Sequence, residues 1–485
     1  MRKLLIITLC LLCVLPARGA DPKGEPIYNK VSRSYTLNPD GSVNLRVIKE
    51  LTYYSYASSH GLFSKTIIDY DPAFQELIIN ASYTKLPDGE TAMTPETAFV
   101  EALPDYAADA PAYSGLRRMV VAHNGLEPGA RVYLDYTVIT KEGYLPELDI
   151  AVPLYENSPI TDYSISVTVP DNKEVRYSST VPVADPLVTT DGILKTYAWN
   201  LKNVHAAPSD PGKYEQEILE ATTFASFEDA FSFISSQFAK PEDLDSSVIS
   251  AVSTLGAAPN KIEAVDKYLS EHLVVVPVPL RAASYRIRSA GAVLASACAT
   301  RVEYASLRSA LLESQGLEVS LSAGDDKTAG IASVDEITAL ASFEKSNTKK
   351  VNKYRIELEY RSHQLRNGYL VVTLPFARGA FDGRPYSSYP GNRTRPLILD
   401  KPVNEEYEYV ITLGPGITVQ GQAALEKEIS NNAGYYGCHF SMEGNKLIVK
   451  RSVEVFWPKV IPAFFEDFRA VMSEWSVPCT LILKN

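Results

Sequence analysis

Turns built from proline, aspartate and glycine cut the N-terminal part of this chain into short pieces, and their recurrence constrains the fold more than any other feature. Asn38-Pro39-Asp40-Gly41 stands between two alternating stretches, 32–37 and 43–54. Proline presets φ for the turn and glycine accepts φ > 0, so the two stretches form a hairpin. The same chemistry returns at Leu86-Pro87-Asp88-Gly89 after the stretch 77–83. Glu127-Pro128-Gly129 then precedes the alternating Arg131-Val132-Tyr133-Leu134-Asp135-Tyr136. With 163–169 and 194–201 continuing the period of two, the spacing predicts a β-sandwich of about 180 residues.

Beyond the Pro/Gly segment 208–212 the period changes to 3.6. Ser226 is placed to cap a helix over 227–237, and Pro241 to open one that ends near Gly256. Asn260 with Glu263 approximates a capping box for a third helix, whose Ile262, Val265, Leu269 and Leu273 share one stripe. A helix over 302–314 stops at Gly316, and a strand over 317–321 follows, so this region reads as α+β. Strands return at 354–361, 369–374, 407–413 and 446–451. A late helix over 464–475 turns Phe465, Phe468, Met472 and Trp475 inward, ahead of a strand over 479–483.

A chain of 485 residues is too long for one core. The expected segments are a signal peptide over 1–20, an N-terminal β-sandwich over 21–212, a central α+β domain over 213–350 and a C-terminal mainly β domain over 351–485. In the leader, Arg2 and Lys3 precede an apolar run over 4–15 and a small-residue cleavage region over 16–20. The run is well short of the roughly 20 residues a bilayer-spanning helix needs, and no later segment is long enough, so no transmembrane segment is expected. Cys10 and Cys13 lack the small residues that lipoprotein processing needs before an acylated cysteine.

The chain carries a net charge of −11, and loss of Arg2, Lys3 and Arg18 with the leader makes it more negative, which argues against nucleic acid as a partner. Cys298, Cys438 and Cys479 remain beyond the leader. In an oxidising compartment an odd count leaves a thiol over, and Cys438 with Cys479 is the pair expected to bridge, three buried free thiols being the other reading.

The segment 261–319 resembles the transglutaminase-like family, in the form exported by Gram-negative bacteria with β domains of unknown function on either side. The likeness extends to Trp199-Asn200-Leu201-Lys202-Asn203-Val204 before Ser226-Phe227-Glu228, and to Phe468-Arg469 and Glu474-Trp475 in the late helix. It implies a multidomain chain whose central domain has the cysteine-proteinase-like α+β fold. Active members of the family carry Gly-Asp-Cys-Lys-Asp-Lys-Ala ahead of a leucine-rich helix. Counting back from Gly316-Leu317, this sequence offers Ala299-Thr300-Arg301-Val302-Glu303-Tyr304-Ala305. Arg301 therefore stands where the resemblance implies the nucleophile. A helix N-terminus lowers a cysteine pKa and makes a thiolate, whereas arginine has no deprotonated form to use.

The base and its orienting acid are implied on the two strands after the helix, where the sequence has no histidine. His363 lies in a later Ser-His-Gln turn, and His272 ends a helix whose dipole suits it. No two histidines have metal-ligand spacing, so neither a metal nor another cofactor is expected.

Asp325-Asp326 and Asp335-Glu336 sit in small-residue loops and read as solvated. Asn80-Ala81-Ser82 and Asn392-Arg393-Thr394 match glycosylation acceptors by coincidence in a bacterial chain. Tyr386, Tyr389 and Arg393 are the binding candidates, because exposed aromatics beside arginine stack on sugars or peptides.

The functional expectation is an exported binding or scaffold protein without catalytic residues, in the periplasm or at the cell surface, holding a peptide, glycan or protein partner. The alternative is a thiol enzyme, a cysteine protease or acyl transferase, with Cys298 as a displaced nucleophile.

Overall fold

The computed structural model describes residues 25–56, 61–207, 216–255, 261–323, 330–334, 337–341, 352–375, 386, 389, 391, 393, 395–399 and 403–485. The expected leader with Cys10 and Cys13, the linker 208–212, Asn260, the acidic pairs at 325–326 and 335–336, and Asn392 lie outside them. Two compact units divide the chain, residues 1–207 with 217–341 and residues 208–216 with 342–485.

In the first unit, β1 (Ile27–Leu37) and β2 (Val43–Thr52) form the expected hairpin, with Gly41 at φ 85° and its N–H donating to Asn38 O at 3.0 Å. Next come β3 (Lys65–Tyr70), β4 (Gln75–Lys85), β5 (Thr91–Met93), β6 (Phe99–Ala102), β7 (Arg117–Ala122) and β8 (Arg131–Thr140). The second Pro-Asp-Gly turn joins β4 to β5, with Gly89 at φ 95°. The series ends in β9 (Asp149–Pro153), β10 (Ile160–Pro170), β11 (Arg176–Ser179), β12 (Leu187–Asp191), β13 (Leu194–Val204) and β14 (Ile218–Thr222).

These strands make one eight-stranded sheet, ordered β12-β13-β10-β1-β2-β8-β4-β5, and two three-stranded sheets, β11-β14-β9 and β3-β7-β6. Each small sheet packs on the large one. Val31, Ile165 and Val167 meet Ile150, Val152 and Leu219 of the first, while Val47, Leu134 and Val138 meet Ile68 and Val121 of the second. Because β14 pairs with both β9 and β11, the strand-built part continues past residue 212. Charge is also buried here: Glu156 accepts from Arg33 Nη2 at 2.6 Å and Lys49 Nζ at 2.9 Å, tying β1 and β2 to the segment before β10.

Ser226 caps α1 (Phe227–Ser235), its Oγ accepting from Asp229 N at 3.1 Å. Pro241 opens only the 3-10 turn Pro241–Asp243, because Leu244 is extended at φ −93°, and α2 (Ser246–Leu255) begins afresh beyond it. In α3 (Lys261–His272) the expected stripe is buried. Then β15 (Val274–Val275) runs parallel to β16 (Cys298–Ala299), with α4 (Ala290–Ser296) between them in sequence. Next, α5 (Arg301–Ser314) buries Leu307, Leu311 and Leu312 in the core that α3 shares, ahead of the antiparallel pair β17 (Val319–Ser322) and β18 (Thr338–Ala341).

The second unit contains β19 (Asn352–Tyr360), β20 (Tyr369–Thr373), β21 (Leu397–Ile398), β22 (Val403–Leu413) and β23 (Thr418–Gln420). The short α6 (Gln422–Leu425) precedes β24 (Lys427–Ser430), β25 (Gly434–Glu443), β26 (Lys446–Val455) and β27 (Lys459–Val460), and α7 (Phe465–Ser476) leads to β28 (Thr480–Lys484). Its main sheet runs β19-β22-β26-β25-β24. As expected, α7 turns Phe465, Phe468, Met472 and Trp475 into the core, against Tyr407, Tyr409 and Val449. No helix among the described residues is long and apolar enough to cross a membrane.

Candidate functional site

The N-terminus of α5 is where the sequence resemblance would put a nucleophile, and the side chains there are held in a capping box. Thr300 is the N-cap: its Oγ1 accepts from Glu303 N at 3.2 Å, and Glu303 Oε2 accepts from Thr300 N at 2.8 Å, a complete capping box. Arg301 follows as the first helical residue, with its side chain exposed.

Glu303 is only 1% exposed, and Arg288 answers its charge. Arg288 Nε donates to Oε1 at 2.7 Å and Nη2 to Oε2 at 2.9 Å, a bidentate pair, while Arg288 N adds a bond to Oε1 at 3.2 Å. Tyr113 donates to Oε1 at 2.8 Å, and the Arg288 guanidinium lies 5.0 Å from the centroid of its ring. Burial alone would raise the Glu303 pKa, but Arg288, the Thr300 N–H and Tyr113 together hold it below the usual carboxylate range. Burial and the Glu303 charge push the Tyr113 phenol well up.

Cys298 lies at the start of β16, just before this cap. It is 5% exposed and packs among Ala107, Ala110, Leu116, Val276, Val278 and Ala283, its sulfur reaching Ser296 Oγ at 3.6 Å. The segment carrying Ala107, Ala110, Tyr113 and Leu116 belongs to the strand-built part, and it covers the approach to Cys298. No imidazole stands on β17 or β18, whose sequences are Val-Ser-Leu-Ser and Thr-Ala-Leu-Ala. His272 Nδ1 meets Tyr268 O at 2.8 Å, its ring stacked 4.1 Å from that of Tyr268, and His363 lies exposed in the 3-10 turn Ser362–Gln364 of the second unit.

The binding candidates Tyr386, Tyr389 and Arg393 are brought together, but not at the surface. Tyr386 is 3% exposed, edge-on to Tyr389 and Phe468, and Arg393 is 6% exposed with its guanidinium 5.2 Å from the Phe465 ring centroid. The expectation of an exposed stacking surface is corrected: Tyr386 packs edge-on to Phe468 of α7 and the Arg393 guanidinium lies over Phe465, so both are buried. Tyr389 is half-buried.

One further place has chemical character that sequence reasoning missed. A cavity of about 150 Å³ in the first unit is lined in part by Gln75, Lys141, Tyr144, Glu147, Asp149 and Tyr285. Asp149 Oδ2 accepts from Ile331 N at 2.6 Å, beside Gly330, where a Cβ would stand 2.1 Å from Asp149 Oδ1. Burial, with help from the Glu220 charge, pushes the Asp149 carboxyl up to about 7. Its only trace in the sequence is an acid at the head of a strand. Among the described residues no group of three or more histidine, cysteine or acidic side chains could hold a metal.

Comparison with known proteins matches two parts of the chain to families. Residues 35–208 match a domain of unknown function with solved structure, DUF3857, and residues 367–481 match a second such domain, DUF3858. A crystal structure from Parabacteroides distasonis ATCC 8503, described as a "putative protease", is 27% identical, with a TM-score of 0.77 over 95% of this chain and 99% of that one. An M1 zinc metallopeptidase from Deinococcus radiodurans is 11% identical, with a TM-score of 0.21 over 40% of this chain and 42% of that one, and bears on nothing here. No curated protein matches the chain.

Proposed function

We propose that this chain is an exported, non-catalytic binding or scaffold protein whose central α+β region is a transglutaminase-like domain that has lost its nucleophile. The observation that carries the reading is Arg301 as the first residue of α5, at the position the family gives to its cysteine. Arginine offers no nucleophile, and the cap, Arg288 and Tyr113 occupy Glu303 fully. A partner of peptide, glycan or protein chemistry engages the β domains or the cavity beside Asp149. The protease description belongs to the Parabacteroides protein; for this chain, likeness of fold is an argument about ancestry and not about chemistry.

The test is the alkylation rate of each cysteine in folded, reduced protein between pH 5 and 9, resolved by peptide mass spectrometry. Cys298 is expected to stay unlabelled until the protein unfolds. Fast labelling with a midpoint well below about 8.5, the value of an ordinary thiol, restores the thiol-enzyme reading and ends this one. N-terminal sequencing of protein recovered from cells tests export: a mature terminus near residue 20 is expected, and an intact leader overturns it.

A further inference from the structure

In the main sheet of the second unit, Arg451 of β26 stands opposite Tyr407 of β22 on one side and Cys438 of β25 on the other. Residues paired directly across antiparallel strands project to the same face, so these three side chains form one row. That face is covered by α7, since the Trp475 ring lies 5.2 Å from the ring of Tyr407 and 5.1 Å from the Arg451 guanidinium. Arg451 Nη2 donates to the carbonyls of Trp475 at 2.9 Å, Val477 at 3.2 Å and Glu474 at 3.4 Å. A buried cation thereby clamps the end of α7 and the chain just beyond it onto the sheet.

Cys479 is two residues past Val477, and its carbonyl accepts from Leu374 N at 2.8 Å, so its backbone is held from both sides. The clamp delivers it to Cys438. The two thiols lie within hydrogen-bonding reach of each other, unjoined, at 1% and 3% exposure. The hydrogen bond from Cys479, aided by Arg451 and Tyr436, outweighs burial and brings Cys438 down to about 7, while Cys479 is pushed up.

We propose that Cys438 and Cys479 are an oxidative modification site, a dithiol that closes to a disulfide as the second unit folds and α7 seals it. The oxidant is a disulfide, either that of a thiol oxidoreductase or oxidised glutathione. The Cys438 thiolate attacks one of its sulfurs, that S–S bond breaks, and the leaving thiolate takes up the proton Cys438 gave up. Cys479, once deprotonated, attacks the Cys438 sulfur of the mixed disulfide and expels the second thiol. Two thiols of this chain are oxidised, and one disulfide of the oxidant is reduced to two thiols. In the cell the step rests on the export reading, because a reducing cytosol would not supply the oxidant.

The test refolds the reduced, denatured full chain without its leader in mixed oxidised and reduced glutathione, then alkylates it in denaturant and maps the peptides. A cross-linked pair containing Cys438 and Cys479, with Cys298 alkylated, is the expected result. Cys438 and Cys479 both alkylated, or either bridged to Cys298, overturns the proposal. Cys298→Ser repeats the experiment without the third thiol and must still give the bridge. Protein recovered from cells with its own leader is mapped in parallel. Free thiols there, with a bridge in the refolded sample, overturn export while the pair stands.

Discussion

Tyr113, in the 3-10 turn Pro111–Tyr113, donates its phenolic hydrogen to Glu303 Oε1 at 2.8 Å, joining two parts of the first unit that lie 190 positions apart in the chain. The bond makes the turn a lid on the α5 N-terminus. Tyr113→Phe keeps the ring beneath Arg288 and removes only the donor, so a loss of about 1–2 kcal/mol is expected in urea unfolding. Cys298, which the same segment covers, should label faster in the folded variant; an unchanged rate counts against the lid.

Acid should act through Glu303. Its folded pKa lies below its unfolded one, so its contribution is present above the ordinary carboxylate value and is lost as pH falls through the folded value. Glu303→Gln is expected to destabilise by roughly 2–4 kcal/mol at pH 7, because Arg288 loses its counter-charge. The gap to the parent should shrink as pH falls below the ordinary carboxylate value, as urea midpoints will report.

Introducing a thiol separates reactivity from catalysis. Arg301→Cys places a cysteine at an exposed helix N-terminus, where the dipole favours thiolate. It should label quickly with a midpoint below about 8.5, while peptide and ester hydrolysis stay at background, because β17 and β18 supply no base. Turnover of any amide substrate by this variant contradicts the assignment.

Asp149 works in the opposite sense to Glu303. Its folded pKa is raised to about 7, so its contribution is complete below the unfolded carboxylate value and disappears as pH rises through 7. Asp149→Asn keeps an acceptor for Ile331 N and has no charge to bury. Relative to the parent it should therefore gain stability from pH 5 to pH 8, measured by thermal unfolding at each pH.

The turns and helices that the sequence announced depend on neighbouring residues. Pro-Asp-Gly set the β1–β2 hairpin, Ser226 capped α1, and the stripe of α3 is buried as written. What stayed hidden depends on residues far apart. Gly434 and Gly437 disguise β25, which forms because β26 supplies its whole antiparallel register. The 3-10 turn at Pro241 comes from an extended Leu244 that no propensity marks.

The site divides in the same way. Arg301 and Cys298 could be placed by counting along the chain, but not Tyr113, Arg288 or Asp149, whose partners arrive from other elements. Tyr386, Tyr389 and Arg393 misled because composition says nothing of which way side chains face once Phe465 and Phe468 pack against them.

The parallel pairing of β1 with β10 sets a timetable for making the protein. β1 can zip to its sequence neighbour β2 as soon as both are free to fold, yet its other edge waits for Ile160–Pro170 to arrive, when Thr36 can meet Thr168. Until then an unsatisfied strand edge is open to any neighbouring chain, and closing so long a loop is slow. Fragments that stop short of β10 are therefore the ones that should aggregate.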